Sequence, residues 1–262
     1  MSTPKVTLYF DLLSPFSYVA FHILKNSPIF SKCNITYTPI LLRDLFTKCQ
    51  NTPPIAVKSI YTPLSTHFHY QESPNPELES RTYSPTSTEI TPPKNQANKM
   101  IPDKSTWINK ERLYWSKRLK LPMCETPPPG FPFPTVEVQS ILLVLGERYP
   151  EKLASVVERL YLGLWGEGDS RIVTTDGFMG VLEEAFGGKV AREILQASNE
   201  PETKLRLTEN TTRAFDTGAF GLPWFECVNS RGETECFWGV DHLAEWRSFW
   251  IWRGGMLVGG FD

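Results

Sequence analysis

A strand that runs directly into a helix near residue 14 is the feature that most restricts how this chain can fold. Residues 6–10 carry apolar side chains at every second position, which is typical of a half-buried strand. Residues 16–24 carry apolar side chains at helical spacing. Between them, Ser14 is a favoured N-cap residue, and Pro15 suits the first helical position because its missing N–H would have no partner there. The pattern predicts a serine hydroxyl at the N-terminus of the first helix.

The N-terminus of a helix stabilises anions, because backbone N–H groups and the positive end of the helix dipole meet there. A strand leading into such a helix end is how a thioredoxin-type fold presents its reactive group. Redox members carry Cys-x-x-Cys at this point, whereas this chain has Ser14-Pro-Phe-Ser17. Because the redox pair is absent and the helix end remains, we predict an exposed serine hydroxyl that binds the thiolate of another molecule.

The composition is that of a soluble globular protein, with 40% apolar and 21% charged residues in a chain of 262 residues. A net charge of −2 gives no basis for binding nucleic acid or an anionic membrane surface. Because no apolar run reaches about eighteen residues, we expect no membrane insertion. The first residues match no targeting signal, which by itself favours the cytoplasm.

The cysteines and histidines give little support for disulfides or a metal. Five cysteines form no Cys-x-x-Cys pair and leave one unpaired in any disulfide scheme, so free thiols in a reducing, intracellular compartment are predicted. An alternative is that Cys227 and Cys236, which flank a turn, face each other across a hairpin. His67 and His69 lack nearby cysteine or carboxylate partners, so we interpret them as solvated and expect no metal.

The order of predicted elements is strand–helix–strand, a block of helices, then two strands and a last helix after Gly239. Strands are predicted at 5–11, 35–40, 224–228 and 235–238, and helices at 15–26, 42–47, 107–119, 135–148, 150–165, 174–186, 188–198 and 201–217. This order predicts an α/β, thioredoxin-like fold with an inserted all-helical domain. The thioredoxin-like domain would comprise two halves, 1–58 and 200–262, and the helical domain 106–199. Residues 59–105, rich in Ser, Thr, Pro, Asn and Glu, predict a disordered insertion.

The segment from Gly218 to Trp224 is the second element of the predicted site. It places the Leu222-Pro223 bond at the start of a predicted strand, where thioredoxin folds carry a cis-proline beside the N-terminus of the first helix. We predict a cis bond here, with the Leu222 backbone available to pair with a peptide-like ligand as an added strand does. The alternative is a trans proline that begins an edge strand.

Four motifs together resemble a known family. They are Tyr-Phe-Asp-Leu-Leu-Ser-Pro-Phe-Ser-Tyr (9–18), Asn-Thr-Pro-Pro (51–54), Gly-Ala-Phe-Gly-Leu-Pro (218–223) and Phe-Trp-Gly-Val-Asp (237–241). In this order the chain resembles the kappa-class glutathione S-transferases and the related 2-hydroxychromene-2-carboxylate isomerases, within the DsbA-like thioredoxin superfamily. The resemblance covers nearly the whole chain except 59–105, which is either a lineage-specific loop or an error in the gene model.

The resemblance implies a glutathione site. Ser14 matches the catalytic serine, whose hydroxyl donates to the glutathione sulfur. The glutathione-binding residues that it implies are Phe16, Ser17, Asn51, Leu222, Pro223, Val240 and Asp241. A helix N-terminus lowers a thiol pKa from about 8.5 to about 3.5–7.5, which agrees with such a role. The alternative is that Ser14 only caps its helix.

Three residues near the C-terminal end bear on the glutathione site that the resemblance implies: one matches the family and two depart from it. Asp241 matches an acid that binds the γ-glutamyl amine, although it could instead be the N-cap of the last helix. Val240 stands where the transferase has serine, so one hydroxyl contact is lost while the backbone N–H remains. His242 replaces an arginine, which is expected to weaken glutathione affinity.

The function implied is that of a kappa-type glutathione transferase, in which the thiolate attacks a small electrophile and peroxidase activity is an added expectation. One alternative is a glutathione-dependent isomerase of the 2-hydroxychromene-2-carboxylate type, because reversible thiolate addition would use the same site. A second alternative is a non-catalytic thioredoxin-fold binding module. The resemblance also implies a homodimer and a mitochondrial or peroxisomal location.

Overall fold

The four strands of the described chain form one mixed sheet. The computed structural model of the protein describes residues 2–50 and 104–242. The strands are arranged in the order β2-β1-β3-β4, with bounds β1 (Lys5–Phe10), β2 (Asn34–Pro39), β3 (Trp224–Val228) and β4 (Thr234–Trp238). β1 runs parallel to β2 and antiparallel to β3, and β3 pairs antiparallel with β4. The predicted parallel strand–helix–strand unit and the later hairpin are therefore confirmed.

Eight α-helices lie in the described ranges. They are α1 (Pro15–Asn26), α2 (Leu42–Lys48), α3 (Lys104–Leu119), α4 (Val136–Arg148), α5 (Pro150–Tyr161), α6 (Thr175–Phe186), α7 (Gly188–Asn199) and α8 (Pro201–Asp216). The order of elements confirms an α/β, thioredoxin-like fold with helices inserted between β2 and β3. α5 ends at Tyr161 rather than at residue 165, because the chain continues as a π-helical turn, Leu162–Gly166.

Several predictions concern residues outside the described ranges. Asn51, the histidine pair, the last helix and nearly all of the insertion 59–105 belong to this group. Residues 104 and 105, which the prediction assigned to the insertion, are the first two residues of α3.

Successive residues of β1 contact opposite layers of helices. Leu8 and Phe10 lie in an apolar cluster with side chains of α1 and α4–α7, whereas Tyr9 lies in a second cluster with α2 and α8. This alternation follows from the two-residue period of a strand. The larger cluster runs from the sheet into the inserted helices without a break, and the division into domains stays a prediction.

All five cysteines are free thiols. The alternative in which Cys227 and Cys236 face each other across the hairpin is wrong. Cys227 lies opposite Glu235, and Cys236 lies opposite Glu226. Because neighbouring residues of a strand point to opposite faces, the two sulfurs lie on different sides of the sheet, one in each apolar cluster.

Two further findings concern the helices and the metal-ligating side chains. Over residues 2–50 and 104–242, every helix is too short or too polar to span a bilayer. Within the same ranges, His, Cys, Asp and Glu side chains form no group of three that could hold a metal ion.

Candidate active site

Ser14 is the N-cap of α1, as predicted. Its backbone is extended, with φ −92° and ψ 112°, and its Oγ accepts a hydrogen bond from the backbone N–H of Ser17 at 3.2 Å. Pro15 occupies the first helical position. A hydroxyl that accepts one hydrogen bond still has its own proton to donate. Capping and donation to an anion are therefore compatible at Ser14, and neither interpretation excludes the other.

The side chain of Ser14 is less accessible than the sequence predicts. Ser14 is 4% exposed, whereas the prediction was an exposed hydroxyl. The reason is tertiary: side chains from the inserted helices pack on the loop between β1 and α1 and bond to its carbonyl groups. The Ser14 side chain is therefore largely covered by other protein atoms rather than exposed to solvent.

The Leu222-Pro223 bond is cis, as predicted. It directly precedes β3, and the pairing of Tyr9 with Trp224 places Pro223 beside the end of β1, close to the loop that carries Ser14. Leu222 is buried at 7% exposure. The first helix end and the cis-proline segment therefore lie at the same end of the sheet.

The end of β4 reaches the same place. The backbone N–H of Gly239 donates to the carbonyl of Pro223 at 3.1 Å, so Val240 and Asp241 follow directly beside the cis-proline. Val240 is 3% exposed and packs in the larger apolar cluster, so its side chain is not presented to solvent. The Asp241 side chain is 72% exposed and lies 3.9 Å from His242. Of the pair, only Asp241 offers a side chain to a ligand.

The two remaining described residues of the predicted site differ in burial. Phe16 is half-buried at the first turn of α1, where its backbone is near the helix end. Ser17 is fully buried, and its N–H is used to cap Ser14. Its Oγ has no hydrogen-bond partner within the described residues, although the hydroxyl is close enough to Tyr161 to influence the pKa of that phenol. Ser17 thus faces the interior.

Asp11 is the main feature of the site that the sequence analysis missed. Its carboxylate is 1% exposed and accepts three hydrogen bonds: from the N–H of Leu13 at 3.0 Å, the N–H of Leu42 at 2.9 Å and the hydroxyl of Thr135 at 3.1 Å. The one available signal was an aspartate directly after an apolar strand. A carboxylate in that position requires buried donors, because an unpaired buried charge is costly.

Side chains from the inserted helices also bond to the backbone of this loop. The hydroxyl of Tyr161 donates to the carbonyl of Asp11 at 3.2 Å, and the indole N–H of Trp165 donates to the carbonyl of Leu12 at 2.9 Å. The Trp165 ring in turn lies 5.6 Å from the guanidinium of Arg112, which is 1% exposed. The loop before Ser14 is therefore fixed by groups that lie more than ninety residues away along the chain.

Gln139 links the ends of β1 and β2. Its side-chain amide donates to the carbonyl of Phe10 at 2.9 Å and to that of Ile40 at 2.8 Å. These carbonyls lie where the two parallel strands end, and satisfying them within the interior removes the penalty of burying them unpaired. Gln139 thus anchors α4 to the same end of the sheet as Ser14.

The pKa of the Asp11 carboxyl is raised from 3.8 to about 6 in total. Burial is the largest cause and the charge on Asp44 adds to it, while the three hydrogen bonds act in the opposite direction. The phenol of Tyr161, whose own pKa is raised by burial, also faces this group. In the folded state the group takes up a proton between about pH 4 and 6, where the unfolded chain does not. Its contribution to stability is therefore greatest below about pH 4 and is lost as the pH rises through 6.

We accordingly expect the free energy of unfolding of wild type, relative to Asp11→Asn, to fall by about 2.4 kcal/mol between pH 4 and pH 7, since each pKa unit corresponds to about 1.4 kcal/mol and the unfolded carboxyl is already partly ionised at pH 4. Urea unfolding of both proteins across this range measures the difference. A difference that stays constant with pH would contradict the assignment of the raised pKa to Asp11.

A separate cavity lies on the inserted helices. It has a volume of about 580 Å³ and is open to solvent. Its walls come from the proline-rich bend 129–134 and from the first turns of α4 and α6. None of the predicted site residues lines it; Pro134 and Val136, which do, are the chain neighbours of Thr135, whose hydroxyl bonds to Asp11.

Curated relatives of this chain share one name. Glutathione S-transferase kappa 1 of Caenorhabditis elegans is 25% identical over 246 residues, which is 92% of this chain and 88% of that protein. Glutathione S-transferase kappa 1 of Homo sapiens is 22% identical over 244 residues, which is 91% of this chain and 87% of that protein. Both are similar to this chain over most of its length.

Solved structures give the same fold. A 2-hydroxychromene-2-carboxylate isomerase superimposes with a TM-score of 0.62 at 19% identity, covering 94% of this chain and 93% of that one. The cytosolic disulfide reductase DsbM from Pseudomonas aeruginosa, solved with GSH, gives a TM-score of 0.54 at 14% identity, covering 94% and 96%. The family described as DSBA-like thioredoxin domain matches residues 85–249. Since this match spans more than half of the 262 residues of the chain, the chain belongs to the DSBA-like thioredoxin domain family.

Proposed function

We propose that the protein is a glutathione transferase of the kappa type. The observation that carries the proposal is a serine at the N-cap of α1, at the same end of the sheet as the cis Leu222-Pro223 bond and in the place where redox relatives have a cysteine. Ser14 cannot form a mixed disulfide with a bound thiol, but it can donate a hydrogen bond to a sulfur anion. The curated relatives named glutathione S-transferase kappa 1 support the same function.

The proposed reaction begins with ionisation of the glutathione thiol. The thiol proton passes to solvent, and the thiolate is stabilised by the Ser14 hydroxyl and by the N-terminus of α1. The sulfur then forms a bond to the electrophilic carbon, while the leaving group departs with its bonding electrons. The protein groups stabilise charge on the sulfur and take no part in covalent chemistry.

Apart from Asn51, which lies outside the described residues, the proposed binding residues come from α1, the cis-proline segment and the end of β4. The Leu222 backbone would pair with the cysteinyl unit of glutathione, and the exposed carboxylate of Asp241 would bind the γ-glutamyl amine. Phe16, Ser17, Pro223, Val240 and Asn51 complete the proposed set. Since Val240 and Ser17 are buried, their contribution comes through backbone groups or through support of their neighbours.

A second candidate function is the isomerisation of a 2-hydroxychromene-2-carboxylate-type substrate. The observation that favours it is the structural similarity to an isomerase of that name. In this reaction the glutathione sulfur would add reversibly to an activated double bond and leave again, so no group would be transferred. The thiolate site would be the same in both cases.

Calorimetric titration with glutathione and with S-methylglutathione tests the proposal. We expect saturable binding of glutathione, and weaker binding of the methylated form because it cannot ionise. Protein that binds neither compound would be a binding module of another kind. Parallel assays of chloro-dinitrobenzene conjugation and chromene isomerisation then separate the two enzymes, and absence of both activities in glutathione-binding protein would contradict both proposals.

The assembly and the compartment belong to the same proposal. We propose a homodimer in a reducing compartment of the cell, mitochondrial, peroxisomal or cytoplasmic; the five free cysteines agree with a reducing environment. Sedimentation equilibrium of the purified protein tests the dimer, and a mass of one chain at all concentrations would contradict it.

A further inference from the structure

We propose that Asp11 is a positioning residue of the glutathione site, which fixes the loop carrying Ser14 and ties that loop to α2 and α4. The inference rests on the proposed function, because it assigns Asp11 a role in the binding of the thiolate. Asp11 itself is 1% exposed and is not proposed to touch a ligand.

The first part of the evidence is the geometry of the loop. The Asp11 carboxylate accepts from the N–H of Leu13, and the Asp11 carbonyl accepts from the N–H of Ser14 at 3.0 Å. The side chain and the backbone of Asp11 thus fix Leu13 and Ser14, which lie two and three residues further along the loop. The orientation of the Ser14 hydroxyl at the start of α1 depends on this turn.

The second part is the link to two other helices. The N–H of Leu42, the first residue of α2, donates to Asp11, while the N-cap of α2, Leu41, has no side-chain oxygen. Thr135, the N-cap of α4, donates its hydroxyl proton to Asp11, and its oxygen accepts no capping hydrogen bond from the first turn of α4. A carboxylate is favourable near helix N-termini. Asp11 therefore caps α2 from a distance and joins the N-terminal ends of α2 and α4 to the Ser14 loop.

The position of Asp11 and its charge have opposite effects on a bound thiolate. A buried negative charge three residues from Ser14 opposes a second anion, because like charges disfavour ionisation. Fixing Ser14 in the donating orientation favours that anion. A substitution that removes the carboxylate therefore lowers the pKa of bound glutathione if charge dominates, and raises it if positioning dominates.

The experiment compares wild type with Asp11→Asn and Thr135→Val, and measures the pKa of bound glutathione by the ultraviolet absorbance of the thiolate. We expect both variants to raise this pKa, and Asp11→Asn to lower kcat/KM for conjugation about ten- to a hundredfold, as misplaced catalytic groups do. Thr135→Val leaves the carboxylate in place, and loss of this donor raises the pKa of Asp11 and reduces its negative charge, so a higher thiolate pKa in this variant points to positioning rather than charge. An unchanged or lower pKa in both variants would overturn the inference.

Asp44→Asn is the matched control. Asp44 lies on α2 and its charge acts on Asp11, but no hydrogen bond joins the two carboxylates. We expect this variant to leave the thiolate pKa unchanged or slightly lower. A rise equal to that of Asp11→Asn, in a variant that leaves all three hydrogen bonds to Asp11 in place, would show that the rise does not come from the Asp11 network and would also overturn the inference.

Amide hydrogen exchange separates failure of this inference from failure of the proposed function. If wild type does not bind glutathione, the proposed function is wrong, and the exchange rates of the Leu13 and Leu42 amides still test the positioning role. We expect faster exchange of both amides in Asp11→Asn. If that variant fails to fold, Thr135→Val, which keeps the acceptor of both amides but loses the link to α4, should speed their exchange to a smaller extent. Wild-type exchange rates in the variant that folds would refute the role.

Discussion

Ser14→Ala should raise the pKa of bound glutathione by about 1–2 units and lower kcat/KM for conjugation at neutral pH by about ten- to a hundredfold. A hydrogen bond to a charged group is worth about 1.5–3 kcal/mol, and each pKa unit corresponds to about 1.4 kcal/mol. Loss of the cap to the Ser17 N–H should also cost about 0.5–2 kcal/mol of stability. Thiolate absorbance during a pH titration, steady-state kinetics and urea unfolding measure the three quantities.

Ser155→Ala is the control for this prediction. Ser155 lies in α5, is exposed, and donates its hydroxyl to the carbonyl of Lys152 at 2.8 Å. We expect an unchanged thiolate pKa and unchanged kinetics in this variant. A Ser14→Ala protein that ionises bound glutathione as readily as wild type would show that Ser14 only caps its helix.

Gly177→Ala should lower the free energy of unfolding by about 2–4 kcal/mol, the largest loss of stability expected from any single change here. The added methyl group would overlap backbone atoms. A Cβ at Gly177 would lie 2.0 Å from the carbonyl oxygen of Arg171 and 2.9 Å from the Cα of Ile172. These atoms belong to the 3₁₀ turn Ser170–Val173, which packs on the start of α6. Backbone atoms cannot move aside as a flexible side chain does, so the turn and the helix must separate.

Gly180→Ala, one turn later in the same helix, is the matched comparison. Among residues 2–50 and 104–242, no heavy atom beyond its chain neighbours and its own helical backbone lies within 4 Å of a Cβ at this exposed position. Alanine has the higher helix propensity, so we expect a gain of about 0.5–1 kcal/mol. Urea unfolding of both variants gives the two free energies; equal effects would mean that the close approach at Gly177 does not constrain the fold.

The elements that could be predicted are those defined by local sequence. The start of α1 follows from Ser14 and Pro15, because a capping hydroxyl and a fixed φ angle act within one turn of the chain. The alternating pattern of β1 predicted that Leu8 and Phe10 share one buried face, since the period of a strand is independent of its partners. The burial of Tyr9 on the opposite face, against α2 and α8, was not predicted, because the pattern indicated a half-buried strand. The π-helical turn after α5 was missed because it has no comparable local signal.

The cis Leu222-Pro223 bond was predicted from motif context and is present. By contrast, the cis bond before Pro132 was not predicted, because that proline lies in a bend without a comparable motif. Asn51 remains a prediction, as do the functional roles of the other site residues, including Ser14 and Asp241. A motif therefore indicates which residue stands at a functional position, but not which side chains surround it in the folded protein.

The amino-acid sequence was sufficient to identify a serine-capped helix end after a strand, because the residues responsible are neighbours in the chain. The burial of Ser14 and the network around Asp11 depended on folding. The donors to that carboxylate come from Leu13, Leu42 and Thr135, and the last two are brought to it only by the packing of α2 and α4 against the end of the sheet. Long-range contacts of this kind leave no periodic trace in the sequence, since the groups that meet are far apart along it.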